Sequence, residues 1–245
     1  MGSGREAAGR AVRHTHRCLR LVLAASALLV PLAGEAAQAR NIDPWQSFNR
    51  PVHRFNRFVD RLILRPVAVA YRNYVPGVAR TGVRNFFNNL DDVNVLANDI
   101  LQLKMRAAAN DAGRLVVNTT LGLGGVFDVA TGFGWEKNYE DFGQTLGYWG
   151  VGDGGYLMLP LFGSSTLRDA VASGADYWLN PVRLVSDTGS RAGLLALDVV
   201  DTRVAYLPAE DLIRGDEYIF VRNAYMQRRE YLVADGRIED DFDDF

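Results

Sequence analysis

Three histidines and one cysteine are the whole stock of imidazole bases and soft metal ligands in this 245-residue chain. His14, His16 and Cys18 all fall within the first 39 residues, which leaves His53 alone beyond them. A Ser-His-Asp triad or a histidine-rich metal site has almost nothing to be built from. His53 reads instead as one member of a polar helix face. A lone thiol forms no intrachain disulfide, and beyond residue 39 there is no cysteine to react or to bind metal. Gly150-x-Gly152-x-x-Gly155 matches a dinucleotide fingerprint letter by letter. Tyr156-Leu157-Met158-Leu159-Pro160 follows it and is no helix start, so the phosphate cradle that the motif requires is not expected. Asp141-Phe142-Gly143 has the letters of a kinase metal motif without its catalytic-loop partner. The acids Asp91-Asp92 are adjacent, and neighbouring positions diverge on a helix, so they form no converging dyad. These residues predict no catalytic centre, no cofactor and no metal.

The elements around them begin with a distinctive leader. Met1 to Arg20 carries five arginines against one acid, Glu6. The charge-free apolar run Leu21–Ala33 follows, and then the small-x-small pattern Ala37-Gln38-Ala39. Basic, apolar and A-x-A regions in that order predict a cleaved secretory signal peptide over residues 1–39. The apolar run is too short to span a bilayer, which takes ~20 residues. Cys18 precedes that run, whereas a lipid-modified cysteine would follow it. Residues 40–245 keep 22 of the 27 basic and 27 of the 29 acidic side chains, a net charge of −5. That argues against a nucleic-acid partner, which calls for a basic excess.

Phe48, Val52, Phe55, Val59 and Leu62 recur at spacings of four, three, four and three, one stripe along a helix. Arg50, His53, Arg54, Arg57 and Arg61 occupy the other side, with Asp60 the only acid. Such a helix suits a membrane interface, apolar side among acyl chains and cations at lipid phosphates. It equally suits a surface helix packed on a protein core with its basic face in water. Pro51 is placed in the tolerant first turn, and Arg65-Pro66 is expected to end or kink the helix. A second helix is predicted over Val83–Met105, its Phe86, Phe87, Leu90, Val93 and Leu96 side read as core. A third runs from Asn110 to Leu121 and is closed by Gly122, Gly124 and Gly125. Residues Leu121–Gly163 hold 12 of the 24 glycines and predict loops, turns and one hairpin. Helical patterns return from Leu167 to Gly236, before an acidic tail over 237–245 that is expected to fray.

Taken in order, these stretches resemble the MlaA/VacJ family. The resemblance rests on Asp43-Pro44, Phe48-Asn49-Arg50, Phe55-Asn56, Arg65 to Tyr71, Tyr74-Val75-Pro76, Asn85-Phe86 and Asn118 to Gly122. It continues through Asp128-Val129-Ala130, Phe142 to Gly147, Gly150-Val151-Gly152, Leu159 to Gly163, Thr166 to Asp169, Thr202-Arg203 and Ala224 to Arg228. It implies a mainly α fold over residues 40–236: a ring-like bundle of amphipathic helices lying in the membrane plane, with a Gly-rich hairpin-like loop and a central amphipathic channel. It implies a non-enzymatic outer-membrane protein that moves misplaced phospholipid from the outer leaflet to a soluble periplasmic carrier, beside a trimeric porin. Phe48, Val52, Phe55, Val59 and Leu62 would then face the membrane. Asn56, Gly147, Gly150, Gly152 and Tyr156 would belong to the lipid path and its loop, with Gly147 to Gly155 as that loop. Trp45, Tyr71, Tyr74, Trp149 and Trp178 would stand at headgroup level. The chain lacks the prolines that the family usually carries before Tyr156, in Gly163-Ser164-Ser165-Thr166 and in Asp216-Glu217-Tyr218. The alternative is a soluble periplasmic scaffold of the same fold without a lipid path.

Overall fold

The structure is a computed structural model that describes residues 42–237. The expected signal peptide and the tail after Arg237 lie outside the described residues.

Helix α1 spans Gln46–Val59. Pro51 stands in its second turn and not its first, so the Ser47 carbonyl loses its usual donor. Ser47 is exposed, so its carbonyl is not sealed away inside the fold. The helix does not end at Arg65-Pro66. A π-helical turn, Asp60–Leu64, carries it directly into α2, Arg65–Tyr74. The Arg65 N–H reaches back five residues to the Asp60 carbonyl, and this wider turn accommodates the proline that follows.

Helices α3, Gly77–Leu101, and α4, Met105–Thr120, form the longest packed pair. Both start earlier than their apolar periodicity suggested. Extended Val75 and Pro76 set the start of α3. Leu103, at φ 60°, ends the run by turning the chain, so Met105 opens α4 instead of closing α3. The glycine-rich region is not all loop. It contains the single-turn α5, Val129–Gly132, and α6, Phe142–Tyr148, each started by an aspartate side chain that accepts an N–H three residues on, Asp128 from Thr131 and Asp141 from Gln144.

The hairpin is present. Strand β1, Tyr156–Leu159, pairs antiparallel with β2, Gly163–Thr166, Tyr156 facing Thr166 and Leu159 facing Gly163. Thr166 then caps α7, Leu167–Leu179. Helix α8, Thr188–Tyr206, and α9, Glu217–Val233, complete the described chain, with short 3-10 turns at Pro181–Leu184 and Leu207–Leu212.

Packing closes these helices into a ring. α1 packs on β1, α2 on α8, α8 on α3, α3 on α6, α6 on α7, and α7 on β2, which pairs with β1. α9 lies against α6 and β2.

What the ring buries is unusual. Among the described residues, 20 buried positions are polar or charged and 11 are hydrophobic. On α1 the buried residues are Asn49 and His53, while Phe48, Phe55, Phe58 and Leu62 are exposed. On α3 the buried set is Asn89, Asp92, Asn94, Val95, Asn98 and Asp99. Phe86, Phe87, Leu90, Val93 and Leu96, read from sequence as core, are only half-buried. A large exposed apolar surface ordinarily marks contact with a membrane or partner. No helix among the described residues is long and apolar enough to cross a membrane.

Candidate functional site

The ring surrounds a cavity of about 920 Å³ whose wall draws on nearly every element. Apolar lining comes from Phe220, Val221, Ala224 and Leu232 of α9 and from Met158, Leu161 and Phe162 of the hairpin; charged lining comes from Glu217, Arg228 and Arg229 of α9 and from Asp60, Arg203 and Glu210. Arg203 of α8 grips Asp60 of the π turn with two parallel bonds, 2.7 and 3.1 Å, and also bonds Glu210. Burial alone would raise the Glu210 carboxyl; the Arg203 and Arg65 guanidinium groups offset it and hold the group low. The volume and the mixture of apolar and charged lining suit one amphipathic ligand of ordinary size.

Two asparagines seven residues apart hold the hairpin to α1. Asn49 donates to the Tyr156 carbonyl at 2.9 Å and accepts from the Met158 N–H at 2.8 Å. Asn56 repeats the pattern, donating to the Leu159 carbonyl at 2.9 Å and accepting from the Leu161 N–H at 2.8 Å. A primary amide offers the same donor–acceptor pair as a peptide unit, so α1 caps the outer edge of β1 as a neighbouring strand would. Asn49 also donates to Asp43 at 2.9 Å, and Asp43 accepts from the Tyr218 hydroxyl, which ties α1 and β1 to α9. The repeated Phe-Asn at 48–49 and 55–56 is the sequence signal that would have singled out Asn49 beside Asn56.

His53 shares the arginine face of α1, as its spacing suggested, but is buried there. Its ring meets Tyr218 edge-on at 5.6 Å, and burial pushes its pKa down, so it is neutral at pH 7. Two of the α1 arginines have close carboxylate partners. Arg50 pairs with Asp216 at 2.8 Å, and Arg57 with Glu217 at 2.5 Å.

Elsewhere in the lining, Arg229 bonds Asp141 and Asp169, and the Tyr225 hydroxyl donates to Asp169 at 2.8 Å. Burial opposes the Asp141 charge, yet Arg229 and the Gln144 N–H hold its pKa down. Behind Asp91 and Asn94, the α3–α4 pair encloses Asp92, Asp99, Asp111 and Arg114 with almost no solvent contact. Arg114 binds Asp128 at 3.2 Å and stands 3.7 Å from Asp92. Lys137 bridges Asp91 and Asp92 at 3.1 and 2.6 Å, so these acids share a cation and not a proton. Asp99 is pushed up to about 8, chiefly by burial and then by the hydrogen bond and charge of Asp111.

The remaining predicted residues fall in several places. Val52 and Val59 are half-buried on the stripe whose Phe48, Phe55 and Leu62 are exposed. Asn56 lines the cavity; Gly147, Gly150, Gly152 and Tyr156 are not among its lining residues. The hairpin itself starts after the glycine stretch, because Gly150 (φ 88°) and Gly154 (φ 74°) turn the backbone out of the extended region. Gly147 belongs to α6 and is pressed so close to α9 that a Cβ would stand 2.8 Å from Val233. Tyr156 is fully buried between Tyr218 and Tyr225. Trp45, Tyr74, Trp149 and Trp178 are exposed, and Tyr71 is half-buried.

A helical ring that exposes large apolar side chains and buries polar ones, around a cavity with both apolar and charged lining, defines a class of protein built to hold an amphiphile at an interface. Within that class, the chain belongs to the MlaA lipoprotein family, whose model matches residues 41–232. A Shigella flexneri protein named intermembrane phospholipid transport system lipoprotein MlaA is 40% identical over 214 residues, covering 84% of each chain. The Haemophilus influenzae protein of that name is 31% identical over 210 residues, covering 80% of this chain and 81% of its own. A solved structure concerned with the maintenance of bacterial outer membrane lipid asymmetry is 38% identical, with a TM-score of 0.70, and covers 78% of this chain and 98% of its own.

Proposed function

We propose that this protein moves phospholipid between membranes from a seat in the outer membrane, drawing misplaced lipid from the outer leaflet into the ring cavity and releasing it to a soluble periplasmic carrier. The observation that carries this reading is the inversion on α1, where Asn49 and His53 are buried while Phe58 and Leu62 are each 62% exposed. Water would penalise that choice at every turn, whereas acyl chains favour it. The names of the relatives point the same way.

Bringing two acyl chains of about 15 methylenes each into water costs on the order of 25 kcal/mol, at ~0.8 kcal/mol per methylene. A cavity with apolar lining from α9 and the hairpin lowers that barrier by contact alone. The charged lining at Asp60, Arg203 and Glu210 receives the headgroup. The reading is one of transport and not of catalysis: the work is transfer between environments, with no bond made or broken. Residues 1–39 serve export, residues 40–236 form the working ring, and the ring lies in the inner half of the bilayer beside a trimeric porin. Attachment comes from the apolar surface of the helices, since Cys18 precedes the apolar leader.

Washed outer membranes are the test. The mature protein should leave them only with detergent, carry phospholipid detectable by mass spectrometry, and when deleted should raise surface-exposed phospholipid. Recovery in the osmotic-shock fraction without lipid, from cells with a normal surface, would establish the soluble scaffold instead.

A further inference from the structure

A second cleft, about 610 Å³, opens along α1 beside the central cavity. The two spaces share His53, Arg57 and Glu217, so the cleft adjoins the cavity wall. Arg50, Arg54, Arg57 and Arg61 recur at spacings of four, three and four, which brings four guanidinium groups to one face. All four line the cleft, against only two carboxylates, Asp216 and Glu217.

The pairing is incomplete. Asp216 is taken up by Arg50 and by capping α9. Glu217 serves Arg57 at 2.5 Å, and Arg61 stands 3.9 Å away from it with 67% of its side chain exposed. Arg57 also approaches Asp60 at 3.4 Å. The Arg54 guanidinium has no ion pair or hydrogen bond among the described residues. The lining therefore carries two positive charges in excess, with His53 adding none. Phe58 and Leu62 complete the lining, both largely exposed.

Unpaired guanidinium groups call for a phosphate or carboxylate. Inorganic phosphate would make no use of Phe58 and Leu62. An amphiphile uses both, its phosphate on the arginines and its first methylenes on the apolar rim. A headgroup that also carries an ammonium meets repulsion from the excess arginines; an anionic headgroup does not.

We infer that this cleft is a headgroup site selective for anionic phospholipid at the mouth of the central cavity, where the lipid phosphate binds Arg54 and Arg61 and competes with Glu217 for Arg57. The inference rests on the transport reading and adds to it a lipid class and a point of admission. The shared Arg57–Glu217 pair becomes the partition that an arriving phosphate opens.

The test compares the full-length protein, expressed and exported, with an Arg54→Gln/Arg61→Gln variant. Both side chains are exposed, so the fold is preserved. Each protein is purified and equilibrated with mixed micelles of phosphatidylglycerol and phosphatidylethanolamine in equal amounts, and the bound lipids are quantified by mass spectrometry. Wild type should enrich phosphatidylglycerol, and the variant should lose roughly fivefold or more of that enrichment. Arg54→Lys/Arg61→Lys should keep most of it. Equal lipid ratios in wild type and the Gln variant would overturn the headgroup site and leave transport standing. Displacement of phosphatidylglycerol by an equal concentration of inorganic phosphate would reduce the cleft to a free-anion site and also overturn it. Absence of any phospholipid from wild type would remove the transport reading itself.

Discussion

Helix α1 and the α3–α4 pair both turn polar side chains inward, but with different chemistry. The buried polar groups of α1 are neutral: Asn49 makes bonds to Asp43, Tyr156 and Met158, and His53 is uncharged. Those of α3–α4 mix asparagines with Asp92, Asp99, Asp111 and Arg114, and one carboxyl oxygen on each of the three acids lacks a hydrogen-bond partner. The α1 clamp fixes a second element, the hairpin, at the cavity wall. The α3–α4 network holds its own pair together and reaches Asp128, Lys137 and, through Asn98, Thr145 of α6. Neutral amides give position cheaply, whereas buried ions give it at a desolvation cost that must be recovered by every partner at once.

The sharpest test of that contrast is Arg114→Met, which strands Asp128 without its cation and leaves Asp92 only Lys137. Unfolding in detergent by guanidinium chloride should show a loss of about 3–5 kcal/mol. Adding Asp92→Asn should recover part of it, and no recovery would contradict the ionic account. Next in size, Phe55→Asp places a charge on the exposed stripe of α1, at ~3 kcal/mol against membrane residence. The variant should shift out of the membrane fraction and raise surface phospholipid; normal surface labelling would contradict a membrane-facing stripe.

Asn49→Ala leaves the Tyr156 carbonyl and Met158 N–H unpaired inside the fold, a loss of about 2 kcal/mol. Asn49→Asp should do no better, because a carboxylate cannot donate to Tyr156 and would face Asp43. Asn56→Ala should cost less, about 1 kcal/mol, since that bond pair is only part-buried. Equal losses at both positions would break the idea that burial grades the clamp.

The smallest effect concerns Asp99. Its folded-state pKa, about 8, lies above the ordinary 3.8. Below the lower value both folded and unfolded chains hold the proton. Between the two values only the unfolded chain releases it, so stability from this group falls as pH rises from about 4 to about 8. Asp99→Asn should therefore raise Tm, on the order of ~2–4 °C, and more at pH 8 than at pH 5. A flat difference across that range would contradict the raised pKa of Asp99.

Much of this was legible in the residues. The stripe of Phe48, Phe55 and Leu62 follows from spacing, one hairpin from the glycine content of Leu121–Gly163, and the helical character after Leu167 from the patterns there. Boundaries were missed where a single residue decided them: Leu103 turned the chain between α3 and α4, and the π turn carried α1 through Pro66. The candidate site was less legible. Asn56 was singled out and Asn49 was not, and the cavity wall from Phe220 to Leu232 was read only as helix.

The sequence by itself determined that the chain has no histidine or cysteine stock for catalysis, that its helices have two unlike faces, and that its ordered motifs resemble one family. The tertiary structure alone decided which face is inside. A helical period separates apolar from polar positions but says nothing about the medium outside, and water and acyl chains demand opposite faces. The deciding bonds also join residues far apart in the chain, Asn49 to Tyr156 across 107 positions and Tyr218 to Asp43 across 175. Such pairings arise only when the ring closes and leaves each buried amide or carboxylate a single place to find its partner.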